Sequence, residues 1–146
     1  MKKWLGGLGL LTGALMCTLL SHAAQVVGTS SGECMDIAHG IVADGTPIHQ
    51  FHCHGTPNQQ WTLSNGQIAG LGGSCLDVLG SAPTEGAQIV IVTCNGRPSQ
   101  KWSVSQGQII GIGGKCLDSA GGNPSDGVPL ILSTCSSAPS QQWSLQ

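Results

Sequence analysis

The stretch Cys34–Trp61 reads CMDIAHGIVADGTPIHQFHCHGTPNQQW and decides the fold, because its framework returns twice further along the chain. The second copy, CLDVLGSAPTEGAQIVIVTCNGRPSQKW, spans 75–102, and the third, CLDSAGGNPSDGVPLILSTCSSAPSQQW, spans 116–143. Each copy begins with Cys-x-Asp, ends with Gln-x-Trp and follows the previous one by 41 residues. This spacing predicts a repeat protein built from one structural unit used three times.

Several positions of the unit keep this register without an insertion or deletion, so the repeats run about 24–64, 65–105 and 106–146. The shared positions are the two cysteines (Cys34, Cys75, Cys116 and Cys53, Cys94, Cys135), the acid (Asp36, Asp77, Asp118), a glycine (Gly45, Gly86, Gly127), the glutamine (Gln59, Gln100, Gln141) and the tryptophan (Trp61, Trp102, Trp143).

Residues 1–23 have the pattern of a secretory signal peptide. Two lysines supply a positive start, an apolar run covers 5–20, and Ser21-His22-Ala23 offers small residues at positions −3 and −1 of a cleavage site. No basic stop-transfer flank follows, so a membrane span is not expected. The bulky methionine before Cys17 argues against a lipoprotein anchor. The mature protein is therefore expected to be 24–146, secreted or periplasmic.

The cysteines of the repeats are expected to form disulfides, since an even count in an exported chain is typical of a disulfide framework. Six cysteines allow fifteen pairings. Only the set Cys34–Cys53, Cys75–Cys94 and Cys116–Cys135 stays within every repeat. Each bond closes a loop of about twenty residues and contributes roughly 3 kcal/mol. Zinc ligation by thiolates is the alternative, and the chain has no Cys-x-x-Cys pair to favour it.

The pattern within a unit is one of strands and turns. Residues 108–118 alternate β-branched residues with glycine, turn-rich stretches follow at 81–86 and 121–127, and apolar runs at 89–92 and 130–132 approach the second cysteine. No stretch has helical spacing. About four strands per unit fit a propeller, a solenoid or a closed trefoil, but three copies are too few for most propellers. The expected fold class is all-β, closed about a threefold axis.

Cys-[Met/Leu]-Asp at the start of each repeat and Gln-x-Trp at its end resemble the ricin B-type lectin domain, also called carbohydrate-binding module family 13. The resemblance covers the whole of 24–146. It implies a β-trefoil of twelve strands with pseudo-threefold symmetry and up to three sugar sites, one in each repeat. It also implies that the three tryptophans lie in the core. A sugar platform is the alternative role for them.

The resemblance implies that repeat one holds a complete sugar site. A carboxylate accepts from sugar hydroxyls, an amide reads their orientation, and an aromatic ring covers the apolar face of the pyranose. These groups correspond to Asp36, Asn58 and Phe51, with Gln59 supporting the carboxylate and His49 at a polar position that is usually Gln. Neighbouring Gln50 could replace His49, but strand alternation points it to the other face.

Repeats two and three are expected to have lost their sites. They keep Asp77 with Gln100 and Asp118 with Gln141, but the positions of the ring, the amide and the polar residue are filled by Val92, Ser99 and Val90 in one and by Ser133, Ser140 and Ile131 in the other. The surviving acids and glutamines are expected to serve the fold as local hydrogen bonders.

Composition restricts the partners. Residues 24–146 carry three Lys or Arg against seven Asp or Glu, so nucleic acid and anionic membranes are poor partners. The expected ligand is a glycan or polysaccharide, and galactose-type, N-acetylhexosamine and xylan ligands all fit the site. A second copy of the chain, or a toxin or enzyme chain, is the expected protein partner. No cofactor is expected.

Three other functions are alternatives to sugar binding. A glycosidase needs two carboxylates facing one bond, whereas the acids here recur at symmetric positions far apart, and no Gly-x-Ser-x-Gly is present. A metal site could use His49, His52 and His54, of which the last two are expected to share a strand face, but Cys53 is committed to a disulfide. A sugar-free interaction or inhibitor trefoil also stays open, because fold alone does not determine function.

Overall fold

The computed structural model describes residues 22–146, so most of the predicted signal peptide lies outside the described residues. That range contains twelve strands: β1 (Val26–Gly28), β2 (Cys34–Ile37), β3 (Thr46–Phe51), β4 (Thr62–Ser64), β5 (Gln67–Ala69), β6 (Cys75–Val78), β7 (Ile89–Val92), β8 (Ser103–Ser105), β9 (Gln108–Ile110), β10 (Cys116–Ser119), β11 (Leu130–Ser133) and β12 (Trp143–Leu145). One-turn 3₁₀ segments lie at Ala38–Gly40, Pro57–Gln59, Leu71–Gly73, Pro98–Gln100, Ile112–Gly114, Ala120–Gly122 and Pro139–Gln141. The all-β prediction is confirmed. Between residues 22 and 146 no helix is long and apolar enough to span a bilayer.

The strand pairings repeat with the period of the sequence. Antiparallel pairs β2–β3, β6–β7 and β10–β11 each begin opposite the first cysteine of their repeat. A second set of antiparallel pairs is formed by the hairpins β4–β5 and β8–β9 and by the pairing of β12 with β1. Neighbouring repeats are joined by pairing of β3 with β7 and by the bridges Gln88–Ile131 and His49–Pro129. The result is the predicted β-trefoil, with four strands from each repeat.

Strands from opposite ends of the described chain close the structure. β1 pairs with β12, so that Val26 lies opposite Leu145. Just beyond them Gln25 and Gln146 exchange two backbone hydrogen bonds of 2.7 and 2.9 Å. The two ends of the domain therefore lie side by side.

The core lies on the threefold axis and is filled by equivalent residues from each repeat. Buried members include Met35, Leu76 and Leu117 and, from the facing strands, Ile48, Ile89 and Leu130. Each such side chain contributes about 1.5–3 kcal/mol through burial. The three tryptophans are at most 5% exposed, and their indole Nε1 groups donate to backbone carbonyls 2.9–3.1 Å away, at Met35, Leu76 and Leu117. Their predicted role in the core is confirmed.

Residues 108–118, where β-branched residues alternate with glycine, form two strands separated by a tight turn. β9 ends at Ile110, and a tight turn over Ile112–Gly114 precedes β10. Gly111 begins this break because it packs against the face of Trp102, where a Cβ atom would lie 2.5 Å from a ring carbon. Gly111 therefore marks a close approach of backbone to tryptophan, which a strand residue with a side chain cannot make.

All three predicted disulfides are present, with Cα–Cα distances of 5.0–5.1 Å. Each ties the start of a strand to the loop that follows its partner strand. The prediction that His52 and His54 share a strand face is wrong, since β3 ends at Phe51. The buried amide of Gln59 draws the chain out of the sheet there: its Nε2 donates to His52 O, and its Oε1 accepts from the His54 backbone N–H.

At each joint between repeats, an acidic residue of one repeat accepts hydrogen bonds from a residue of the other. Asp44 accepts from the Thr93 backbone N–H and hydroxyl, and Glu85 accepts from the same two groups of Thr134. At the third joint Asp126 accepts from the His52 backbone N–H, and its other oxygen lies 2.9 Å from His52 Nδ1. These acids precede the repeated glycines by one residue. Their 41-residue spacing could have revealed this shared role.

Candidate functional site

Strands β2 and β3 bring together the side chains predicted for the site in repeat one. Their register pairs Asp36 with His49 and Cys34 with Phe51. Because alternate residues of a strand share a face, His49 and Phe51 point the same way, and their rings stack with centroids 5.5 Å apart. The 3₁₀ turn after the disulfide carries Asn58 to the same place, where its Nδ2 lies 3.0 Å from Asp36 Oδ1.

The Asp36 carboxylate is the centre of this hydrogen-bond network. Its side chain is only 3% exposed. Oδ1 accepts from His49 Nε2 at 3.0 Å and from Asn58, while Oδ2 accepts from Gln59 Nε2 at 2.8 Å. Three donors satisfy a carboxylate that would otherwise be costly to bury. Asp36 therefore fixes the positions of the side chains around it.

Both amides of the site are used within the protein. The Nδ2 of Asn58 donates to Asp36 and to the Ile37 carbonyl, and its Oδ1 accepts from the Thr56 hydroxyl. Gln59 is fully buried and spends both amide hydrogens on Asp36 and His52 O. Gln59 is thus placed behind Asp36, where it supports the carboxylate and is out of reach of a ligand.

An open depression of about 240 Å³ lies in front of the network. Its lining consists of Asp36, His39, His49, Phe51, His54 and Asn58. Phe51 is half-buried, and the His54 ring meets it edge-on at 6.1 Å. A partly exposed ring at the wall of a shallow polar depression is an arrangement that can stack against the apolar face of a sugar.

Two of the lining residues, His39 and His54, were not predicted for the sugar site. His39 adopts φ +58°, whereas the equivalent positions of the other repeats are Gly80 and Gly121 with φ +85° and +64°. A side chain in this left-handed region costs about 1 kcal/mol. The replacement of a repeated glycine by histidine was the signal that could have identified it. Repeat two makes a similar exchange one position later, at Ser81 with φ +54°.

The structure places Gln50 on the opposite face from His49, as strand alternation predicts. It is fully buried, donates to the carbonyls of Asn123 and Ser125, and accepts from the Ser119 hydroxyl. Gln50 thus connects repeat one to repeat three and has no route to the depression.

Repeats two and three keep the support for the acid without the site around it. The Gln-to-Asp hydrogen bond survives as Gln100 to Asp77 at 3.0 Å and Gln141 to Asp118 at 3.1 Å. Each glutamine also donates to the carbonyl of the residue just before the second cysteine, at Thr93 O and Thr134 O. The position of the ring holds Val92 or Ser133, the amide position holds Ser99 or Ser140, and the polar position holds Val90 or Ile131. The hydroxyl of Ser99 is buried without a partner.

An acidic cluster borders the site on the side of His52, whose ring lies 4.6 Å from that of Phe51. Burial, followed by a hydrogen bond to Asp126, raises the pKa of Glu33 to about 7. Hydrogen bonds from Glu33 and His52 lower the pKa of Asp126. The pair therefore holds one proton near neutral pH, and it lies at the joint between repeats one and three.

Within 22–146 no group of three or more His, Cys, Asp and Glu side chains is arranged to hold a metal ion. His52 is engaged by Asp126, and Cys53 is in a disulfide. The crowded histidines of repeat one form ring contacts with Phe51 and one another.

Comparison with known proteins agrees with the β-trefoil fold. A family model described as the ricin-type β-trefoil lectin domain matches residues 22–143. The designed threefold-symmetric protein ThreeFoil is 27% identical with a TM-score of 0.78, over 84% of this chain and 96% of its own. An exo-β-1,3-galactanase from Clostridium thermocellum is 25% identical with a TM-score of 0.78, over 86% of this chain and 30% of its own. A non-toxic homologue of type II RIPs from Momordica charantia, in complex with α-methyl-D-galactoside, is 26% identical with a TM-score of 0.74, over 84% of this chain and 46% of its own.

Proposed function

The chain belongs to the ricin-type β-trefoil lectin family, and from that premise we propose that it is a secreted lectin with one working glycan site, in repeat one. The observation that carries the proposal is the convergence of Asp36, His49, Phe51 and Asn58 on one open depression. Repeats two and three lack both the ring and the amide. A pyranose is expected to stack on Phe51 while its hydroxyls meet the polar groups beside it.

Such a site binds a single sugar weakly. A few exposed hydrogen bonds and one stacked ring correspond to a dissociation constant near millimolar, about −4 kcal/mol. Useful affinity then needs clustered glycans, a second copy of the chain or an extended polysaccharide. A partner toxin or enzyme chain would also raise the affinity for glycans. The match to the galactanase favours this second role, because the matched region is only 30% of that enzyme chain.

Catalysis is not part of the proposal. The three repeated acids lie on three different repeats, and each is bonded to its own glutamine. Asp36, Asp77 and Asp118 therefore do not form the paired carboxylates that glycoside hydrolysis requires.

Export is supported by the leader-like residues 1–23 and by the three disulfides, which are typical of oxidising compartments. Amino-terminal sequencing of the exported protein should begin at Ala24. A protein that stays inside the cell with all its cysteines free to alkylation would contradict this part of the proposal.

The site is tested with an array of multivalent glycans, because clustered display raises weak binding to a measurable level. Phe51→Ala should weaken binding to every glycan that the wild type recognises by about tenfold, since a stacked aromatic contributes roughly 0.5–1.5 kcal/mol. Val92→Ala, at the equivalent position of repeat two, is the matched control and should bind like the wild type. Equal loss in both variants, or no binding by the wild type to any glycan, would overturn the proposal and favour a protein-interaction trefoil.

A further inference from the structure

His39 differs from the other polar residues of the depression because its ring has no partner in the protein. His49 and Asn58 are bonded to Asp36, and the His54 ring is also engaged in a hydrogen bond. In the part of the chain that the structure describes, no hydrogen bond holds the His39 ring. The residue is exposed and lines the depression. Both of its ring nitrogens are therefore open to a ligand.

His39 also lies apart from the aromatic wall of the depression. Three imidazoles contact the ring of Phe51, with centroids 4.6–6.1 Å apart: those of His49, His52 and His54. Among the described rings, that of His39 is not a partner of Phe51. The 3₁₀ turn Ala38–Gly40 carries it instead, and a Cβ atom on Gly40 would lie 3.9 Å from the Cβ of Asn58. His39 thus belongs to the rim on the side of the amide.

This placement bears on the length of the glycan. A pyranose that stacks on Phe51, with its hydroxyls toward Asp36 and Asn58, lies between the ring and the amide. A second residue linked on the amide side crosses the rim at His39. We propose that His39 contacts this second sugar residue, and that repeat one therefore selects glycans of two or more residues over a single sugar. This inference rests on the proposed function and names the class of ligand for that site.

The chemistry of imidazole suits a sugar hydroxyl. A neutral imidazole donates through one nitrogen and accepts through the other, and a hydroxyl group also does both. Because His39 is exposed, its bond to the ligand replaces bonds to water, and the net gain is that of one ordinary hydrogen bond. Such a bond corresponds to a gain in affinity of about fivefold.

The backbone of His39 supports a role in binding rather than in folding. Its φ is +58°, and the equivalent residues of the other repeats are Gly80 and Gly121. Glycine adopts this left-handed conformation without steric cost, whereas a residue with a Cβ atom is strained there. The His39 ring gives the fold no hydrogen bond in return. Residues that are strained in this way are concentrated at functional sites, and contact with a glycan accounts for the histidine.

The experiment displays three sugars on the same carrier at the same density, each as a single residue and as its disaccharide. The pairs are galactose with galactobiose, N-acetylglucosamine with diacetylchitobiose, and xylose with xylobiose. For the sugar that it recognises, the wild-type protein should bind the disaccharide about fivefold more tightly than the single residue.

Two glycine variants separate contact from folding. His39→Gly should reduce the preference for the disaccharide to less than about twofold and leave binding of the single sugar unchanged, whereas Phe51→Ala should weaken both. Ser81→Gly is the matched control, because Ser81 of repeat two also has a positive φ, of +54°. It should keep the full preference. Both changes place glycine in a backbone region that it favours, so Tm should not fall in either variant.

The opposite outcomes are also decisive. A preference that persists in His39→Gly, or that is lost equally in Ser81→Gly, overturns the inference. Equal binding of the single sugar and the disaccharide by the wild type, in every pair that it recognises, overturns it too and leaves the lectin proposal standing. Absence of binding to all of these probes, together with a blank glycan array, overturns both.

Discussion

Repeat one and repeat two share a scaffold but differ in most of the side chains around the repeated acid. In both, the acid after the first cysteine accepts from a buried glutamine, at 2.8 Å in repeat one and 3.0 Å in repeat two. In repeat one the same acid also holds His49 and Asn58. In repeat two its second oxygen accepts from the backbone N–H of Val78. The comparison teaches that the Asp–Gln pair belongs to the fold, and that the repeats differ in the other groups that the acid holds.

The largest effect is expected from removing one disulfide in each of these repeats. Cys34→Ala with Cys53→Ala, and Cys75→Ala with Cys94→Ala, should each lower the free energy of unfolding by about 3 kcal/mol, since both close loops of the same length. Denaturant unfolding measures the loss. Only the first pair should also weaken glycan binding, because it frees the loop that carries Asn58.

Equal loss of glycan binding in both double variants would show that binding does not depend on repeat one in particular. Unequal loss of stability would show that the scaffolds are less alike than their geometry suggests.

The next effect concerns the amide. Asn58→Ala removes the donor that orients Asp36 and should weaken glycan binding about fivefold, in line with about 1 kcal/mol for a buried hydrogen bond. Ser99→Ala is its counterpart in repeat two and removes a hydroxyl that is buried without a partner. That variant should bind normally and unfold at the same or a slightly higher temperature. Calorimetry measures glycan binding and the unfolding temperature of both variants. Ser99→Ala is the control and should bind glycan like the wild type.

The smallest effect is a pH dependence specific to repeat one. The folded-state pKa of Glu33 is raised to about 7 from 4.5, so folding is favoured when Glu33 is protonated, and this advantage is lost as pH rises from 4.5 to 7. Glu33→Gln should therefore raise Tm relative to the wild type at pH 7.5 and change it little at pH 4.5. The equivalent positions are Ser74 and Lys115, so neither other repeat should show this window. A constant difference in Tm across that range would contradict the assignment.

Much of the architecture could be predicted because several kinds of residue share the period of 41 residues. It locates the cysteine pairs, the core tryptophans and the turn glycines, and each is an effect of local chemistry repeated three times. Comparison of the repeats with one another and with the family predicts Asp36, Phe51 and Asn58 as residues of the candidate site.

What escaped prediction depends on conformation or on contacts between repeats. The sequence shows His39 where the other repeats have Gly80 and Gly121, but the positive φ that makes this exchange costly is visible only in the structure. The role of Thr56 follows from its bonds to His54 and Asn58, and no spacing rule indicates it. The break of residues 108–118 into two strands required knowledge of the tryptophan face against which Gly111 packs.

The pairing of Gln25 with Gln146 has a consequence for how the chain could be rearranged. Since the ends are hydrogen-bonded neighbours and β12 pairs with β1 as β4 pairs with β5, the trefoil does not dictate where the chain is broken. A circularly permuted protein, joined across the old ends by a short linker and opened between Ser64 and Gln67, should keep the same strands and disulfides. Any of the three hairpins could then present a fused partner at a chosen angle to the glycan site.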